Sequence, residues 1–341
     1  MDMQATAKIK ICSTGTFLPD QIVKSDDLFA EFHSEKNYGI PTNWMSDRVG
    51  IHERRVGKAD ALPSDHAIPA AQKALDNCPE LNPDDINLVI FCGIERDQPE
   101  PATAHKIQQA LGLKSKHTFD LANACYGFME AMEVASYYIK GGATDYALIV
   151  TGEISTQVAL QAMEYLQDGM EKSDAKNIIG ALTVGDAGGA VILGKSYGYD
   201  APGFDIFNTT VDSAHIDKCV YRHNAQGKFE GQMLMGPISN LIVRKHGSLI
   251  SDTMQKLGWA TPDWVISHQM GGPPFEKIRR ISGVDDKKMI KTYPLLGNIT
   301  SATFAMNFDR LSNNAKVARG DKVFGCFAGS GLAIGQLGYT L

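Results

Sequence analysis

No apolar run in this chain of 341 residues approaches the roughly 18 to 20 residues that a bilayer-spanning helix needs. The first ten residues carry no apolar stretch of the kind a secretory signal has, so the reading expects a cytoplasmic protein off the membrane. The six cysteines, at 12, 78, 92, 125, 219 and 326, form no CxxC pair and no metal-ligand spacing. They read as reduced thiols, and no metal is expected. Positive charge is scarce as well. Thirty-three Lys and Arg against 39 Asp and Glu leave a formal charge of −6, which excludes nucleic acid as a main partner because phosphate binding needs a basic face. No low-complexity segment or long linker interrupts the chain. What remains is ordinary globular composition, 43% hydrophobic and 21% charged, at a length that suits two domains or one duplicated unit.

Short apolar runs at 88–92, 147–151, 190–193, 264–267 and 322–327 predict strands. Helical spacing covers 68–77, 104–111, 127–140, 238–257 and 274–282. Strands alternating with helices in this way predict an α/β fold with mainly parallel sheets. One theme occurs twice: a helix leads through Pro79 and Pro83 to the strand at 88–92, and a later helix through Gly258 and Pro262 to the strand at 264–267. This suggests two similar halves sharing one core, 1–190 and 191–341. The charged stretch 160–177, with Glu164, Asp168, Glu171, Lys172, Asp174 and Lys176, reads as a surface insertion, with a lid as the second reading.

Cys125 stands where a strand-like stretch turns into the helix at 127–140, with Ala124 before it and Gly127 two residues after. A helix N-terminus offers unpaired N–H groups and the positive end of the macrodipole, which favour a thiolate nucleophile. Locally, an inert buried cysteine fits equally well. A nucleophilic cysteine needs an imidazole and an oxyanion stabiliser. Of nine histidines, His33, His66, His105, His117, His223 and His246 lie in polar or helical contexts that predict surface placement. His268 differs, because it directly follows the apolar strand at 264–267, and ligands bind beyond the carboxyl ends of such strands. Asn298 sits in a comparable turn of glycine and small residues.

Four further motifs occur in order: Ser13-Thr14-Gly15-Thr16-Phe17-Leu18-Pro19-Asp20; Trp44 and Arg48 ahead of Gly50-Ile51-His52-Glu53-Arg54-Arg55; Gly185-Asp186-Ala187-Gly188-Gly189-Ala190; and Ala328-Gly329-Ser330-Gly331-Leu332. With them the chain resembles 3-oxoacyl-ACP synthase III, a thiolase-fold condensing family, over nearly its whole length. The resemblance implies a five-layered α-β-α-β-α thiolase fold. Its N-terminal half (1–190) would carry the cysteine and its C-terminal half (191–341) the histidine and asparagine. It also implies a Cys125–His268–Asn298 triad, an oxyanion hole from the backbone of Cys125 and Ser330, and substrate or coenzyme A binding by Trp44, Arg48, Gly236, Met270 and Gly271. The implied reaction is decarboxylative Claisen condensation of a Cys125-bound acyl group with a malonyl thioester, with no cofactor beyond the thioester substrates. A homodimer is implied, serving a fatty-acid-related or specialised pathway. The basic residues Lys277, Arg279, Arg280, Lys287, Lys288 and Lys291 suit an acidic acyl carrier protein, as they would an ordinary solvated helix face.

Two departures stand out. The family's His-Gln-Ala-Asn reads His268-Gln269-Met270-Gly271 here, so the asparagine that contacts the pantetheine arm is missing. Glu100 replaces an aromatic residue that in relatives reaches into the partner's acyl pocket, making it a candidate acyl-pocket residue in trans. Alternatives are acyl transfer from Cys125 to an alcohol or amine, and a role as the active subunit of a heteromeric synthase. The Cys…His…Asn order of cysteine peptidases is set aside because their local signature is absent.

Overall fold

The computed structural model describes residues 7–198, 200–227 and 229–341, with Phe229 and Glu230 as backbone alone. Its first half runs β1 (Lys8–Phe17), β2 (Gln21–Lys24), α1 (Ser25–Glu31), α2 (Ser34–Tyr38), β3 (Glu53–Val56), α3 (Pro63–Asp76), β4 (Ile86–Cys92), α4 (Thr103–Ala110), β5 (His117–Leu121), α5 (Gly127–Lys140), β6 (Tyr146–Glu153), α6 (Thr156–Asp168), α7 (Lys172–Ile178) and β7 (Ala187–Ser196). The second runs β8 (Gly203–Val211), β9 (Cys219–His223), β10 (Phe229–Met233), α8 (Met235–Leu257), β11 (Trp264–Ser267), α9 (Gly272–Ile281), α10 (Tyr293–Leu296), α11 (Thr303–Ser312), β12 (Lys322–Gly329) and β13 (Ala333–Thr340).

Two sheets carry the fold, ordered β1-β7-β6-β4-β5 and β8-β13-β12-β11. Read from β1 or from β8, the pairings run antiparallel, antiparallel, then parallel. A parallel bridge between Val265 and Met289 stands beside β11 where β5 stands beside β4. This repetition of order and sense is the physical content of the two-halves reading. The sheets are mixed rather than mainly parallel, because β1, β7, β8 and β13 pair antiparallel. β7 ends at Ser196 and pairs with β1 and β6 along its length, so a boundary at 190 falls inside a strand of the first sheet.

The central strands are buried on both faces, which is why they read as unbroken apolar runs. In β4, Leu88, Ile90 and Cys92 face inward to a layer built on α5 and α11, while Val89 and Phe91 face outward. The period of two along a strand makes that division. The inner layer packs Phe128 of α5 against Phe304 of α11 at 5.7 Å between ring centroids. On the outer face of the first sheet α3 presents Ala67, Ala70, Ala71 and Ala74, small side chains that let its backbone touch the strands. A Cβ on Gly152 would lie 1.8 Å from the Pro63 carbonyl oxygen. α8 and α9 cover the other sheet through Val243, Ile250, Phe275 and Ile278, completing the five layers of a thiolase fold.

Two local expectations are overturned. Residues 160–177 are no irregular insertion: they form most of α6 and α7, with Ala162, Met163, Leu166 and Ala175 buried. His66 and His246 are buried rather than at the surface. His246 shares a helix face with Ile238 and Ile242, four residues apart, and that face packs inward. Among the described residues, no helix is long and apolar enough to cross a membrane.

Candidate active site

Cys125 lies in a single helical turn, Ala124–Tyr126, wedged between the end of β5 and the start of α5. Ala124 holds φ at 45°, a left-handed conformation unusual for a residue with a Cβ, which turns the chain sharply and lifts Cys125 out of the helix. The end of β12 closes on this turn. A Cβ on Gly329 would stand 2.8 Å from the Tyr126 nitrogen, so glycine there brings the Ser330 backbone beside the cysteine. His268 follows β11 and donates its backbone N–H to the Cys326 carbonyl at 2.9 Å. Asn298 is anchored by its N–H to the Thr183 carbonyl at 2.8 Å. Its Oδ1 accepts from the Thr300 N–H at 3.1 Å, which leaves Nδ2 as the free donor.

One cavity of about 220 Å3 brings these turns together, and Cys125, His268, Asn298, Gly329 and Ser330 all line it. Cys125 and His268 are half-buried, and both line the cavity. Burial, then Cys219 and Glu153, push the Cys125 thiol well above its usual range. The helix terminus therefore does not make a resting thiolate; burial outweighs it. Burial also lowers His268 to about 4, so its imidazole is neutral at physiological pH. His246 behind it is lowered to about 3 by burial and by His268 itself.

Met270 also lines the cavity. Trp44, Arg48, Gly236, Gly271 and Glu100 do not. Trp44 stacks on Phe29 at 6.0 Å, and Arg48 is exposed on the turn Met45–Val49. That turn touches the loop after His268. A Cβ on Gly271, whose φ is +132°, would fall 2.5 Å from Val49 Cγ1. Gly236, in the first turn of α8, has open space around it. Glu100 is exposed, ahead of the cis bond to Pro101. Among the described residues no cluster of His, Cys, Asp and Glu could hold a metal.

Several site residues were not singled out from the sequence. The β9–β10 hairpin gives the cavity Cys219, Tyr221 and Met233, α8 gives Ile238 and Ile242, and Ser155 enters from just before α6. Glu153, at the carboxyl end of β6, is fully buried behind the site. It accepts the Ser301 hydroxyl in a short hydrogen bond and the Ser301 N–H at 3.3 Å, and it faces the Ile94 N–H at 3.5 Å. It thereby links β6 to the Asn298 turn and to the Ile94 loop on the cavity wall. Burial raises its carboxyl to about 7. Its strand-end position, the same signal that marks His268, could have found it.

The chain matches the family described as 3-Oxoacyl-[acyl-carrier-protein (ACP)] synthase III over residues 119–214 and that family's C-terminal part over residues 254–340. It belongs to the 3-oxoacyl-ACP synthase III family. Relatives along nearly the full length agree. A beta-ketoacyl-[acyl-carrier-protein] synthase III of Yersinia pseudotuberculosis is 28% identical over 319 residues, covering 92% of this chain and 93% of its own. The Methylococcus capsulatus protein of the same name is 27% identical over 337 residues, covering 96% and 97%. In fold, the chain is similar to cerulenin-bound Xanthomonas campestris OleA, with a TM-score of 0.90, 24% identity and complete coverage of both chains. As a 3-oxoacyl-ACP synthase III-like protein it is a thiolase-fold condensing enzyme.

Proposed function

We propose that this condensing enzyme works through Cys125 as acyl carrier and through His268 and Asn298 as donors to the extender. The observation that carries the reading is that three turns, one after β5, one after β11 and one after α10, meet at one largely apolar cavity. The Cys125 thiol passes its proton to neutral His268 as sulfur attacks an acyl thioester, and the carrier thiol departs with a proton. The N–H groups of Cys125 and Ser330 bind the oxyanion of that step. A malonyl thioester then places its carbonyl oxygen against His268 and Asn298 Nδ2. As CO2 leaves, its bonding pair enters the enolate, and the two neutral donors hold the developing charge. The enolate carbon attacks the acyl carbonyl, Cys125 leaves as the thiolate, and a 3-oxoacyl thioester is released.

Asn298 favours condensation over transfer to an alcohol or amine, since transfer has no enolate to stabilise. Coenzyme A and an acyl carrier protein are the carriers we propose, the latter docking on exposed Lys277, Arg280 and Lys287. Arg279 and Lys291 are already paired with Glu276 and Asp286. Trp44 and Arg48 are read as contacts for the coenzyme A head, and Gly236 and Gly271 as the edge of its approach. A homodimer would form through β5, the open edge of the first sheet, and Glu100 would reach a cavity only in the second copy. The first half is better bounded at Ser196 than at 190. The reading is tested by incubating the protein with an acyl-CoA and radiolabelled malonyl thioester: wild type releases CO2 and a 3-oxo product, and Cys125→Ala gives no 3-oxo product. Product from Cys125→Ala would remove the proposed nucleophile.

A further inference from the structure

The cavity wall holds hydroxyl groups that neither the fold nor the proposed reaction uses. Ser155 is 6% exposed, and its Oγ is buried without a hydrogen-bond partner. The buried Tyr221 Oη is equally unpartnered. Both residues line the same cavity as Cys125. They come from separate elements, so one local irregularity does not explain both. Ser155 stands at the N-terminal boundary of α6 without a side-chain capping bond, the first turn of α6 also supplies Val158, and Tyr221 lies on β9. Alternation along β9 sends Cys219, Tyr221 and His223 to one face. There His223 Nε2 meets Glu95 of the opposite wall at 3.5 Å, holding the hairpin over the cavity.

Buried hydroxyls are nearly always hydrogen-bonded, because leaving one unpaired loses its interaction with water. Two such hydroxyls, on residues that line one largely apolar cavity, lack a partner in the folded chain, which a bound group in that cavity can supply. Among the described residues that line the cavity there is no Lys or Arg, and Glu95 contributes a carboxylate. An anionic acyl group would be desolvated and repelled there, and a cationic one would bear the same desolvation for a carboxylate, Glu95, that already meets His223. A neutral oxygen, hydroxyl or carbonyl, fits both sides of the account, since Tyr and Ser hydroxyls donate and accept. The volume of about 220 Å3 is half again the roughly 150 Å3 that hold a benzene ring, room for a group of about nine heavy atoms.

Resting on the acyl-carrier reading above, we propose that the acyl group taken by Cys125 is short and carries a neutral oxygen function that hydrogen-bonds to Tyr221 and Ser155. These two residues set specificity.

Hexanoyl-CoA and its analogues with a hydroxyl at carbon 3, 4, 5 or 6 test this by the rate of acyl-protein formation in intact-mass spectrometry. At least one hydroxylated analogue loads about 10- to 100-fold faster than hexanoyl-CoA, the ordinary penalty for unpaired hydroxyls in a site. Tyr221→Phe and Ser155→Ala each shrink that ratio. Hexanoyl-CoA loading as fast as every analogue, or a ratio intact in both variants, overturns the proposal. Calorimetric binding of the same thioesters to Cys125→Ala separates this proposal from the reading beneath it. If wild type forms no adduct but Cys125→Ala still prefers a hydroxylated chain, the nucleophile fails and the specificity stands. Equal affinities sink the specificity alone.

Discussion

Replacing Glu153 with glutamine should change how stability depends on pH. Glu153 is fully buried, and its carboxyl is raised from the ordinary 4.5 to about 7. The folded protein thus prefers the neutral acid, while the unfolded chain ionises near the ordinary value. The stabilisation from the neutral form is complete below about pH 4.5 and is lost as pH rises through about 7. A tenfold change in proton affinity between the folded and unfolded chain corresponds to about 1.4 kcal/mol. Integrating both titrations gives a penalty of about 1 kcal/mol at pH 5 and about 3 kcal/mol at pH 8. Glutamine cannot ionise, so the variant escapes this change. Any constant cost of setting an amide against the Ile94 N–H cancels between the two pH values, and the contributions of His246 and His268, common to both proteins, cancel between variant and wild type. Urea unfolding of both proteins at pH 5 and pH 8 should therefore show the variant gaining about 2 kcal/mol on wild type over that range. A stability difference that stays constant refutes the argument, because it means Glu153 is solvated well enough to ionise normally in the fold.

Asn298→Ala should lower condensation about 100- to 1000-fold while leaving acyl loading of Cys125 near wild type, as separate loading and product assays will report. Acid should destabilise the fold. His246 and His268 are held neutral, with values of about 3 and about 4, so their stabilisation is present above about pH 6.5 and lost as pH falls toward 4. His246→Gln should flatten the fall in melting temperature over that window. Gly152→Ala would drive a methyl group into the Pro63 carbonyl, at 1.8 Å, and should cost about 1–3 kcal/mol or more in thermal unfolding.

The elements legible in the sequence were those whose local pattern matches their final environment. β4, β6 and β11 are buried on both faces and read as apolar runs; α5 runs Gly127–Lys140 as its spacing predicts. β13 was missed because Gly335 and Gly338 break its apolar pattern; at Gly335 a Cβ would meet Tyr126 Oη at 1.9 Å, so packing rather than propensity selects the residue. In α6 the apolar positions 158, 159, 162, 163 and 166 follow helical spacing, yet the charges between them suggested an insertion. Cys125, His268 and Asn298 were legible because each stands at a turn flanked by small residues. Tyr221 and Ser155 were not, since nothing local tells a hydroxyl buried beside a cavity from one in water. Only the pairing of β9 with β10 and the placement of α6 bring them to the cysteine.

The central claim is that Cys125 carries an acyl group which then accepts a carbon nucleophile. A pulse–chase in intact-mass spectrometry tests it most directly. The protein is loaded with acyl-CoA, freed of excess donor and mixed with a malonyl thioester. The account predicts an adduct on Cys125, absent from Cys125→Ala, that disappears as CO2 and a 3-oxoacyl thioester form together. An adduct that survives the malonyl thioester but is discharged by an alcohol or amine would contradict it.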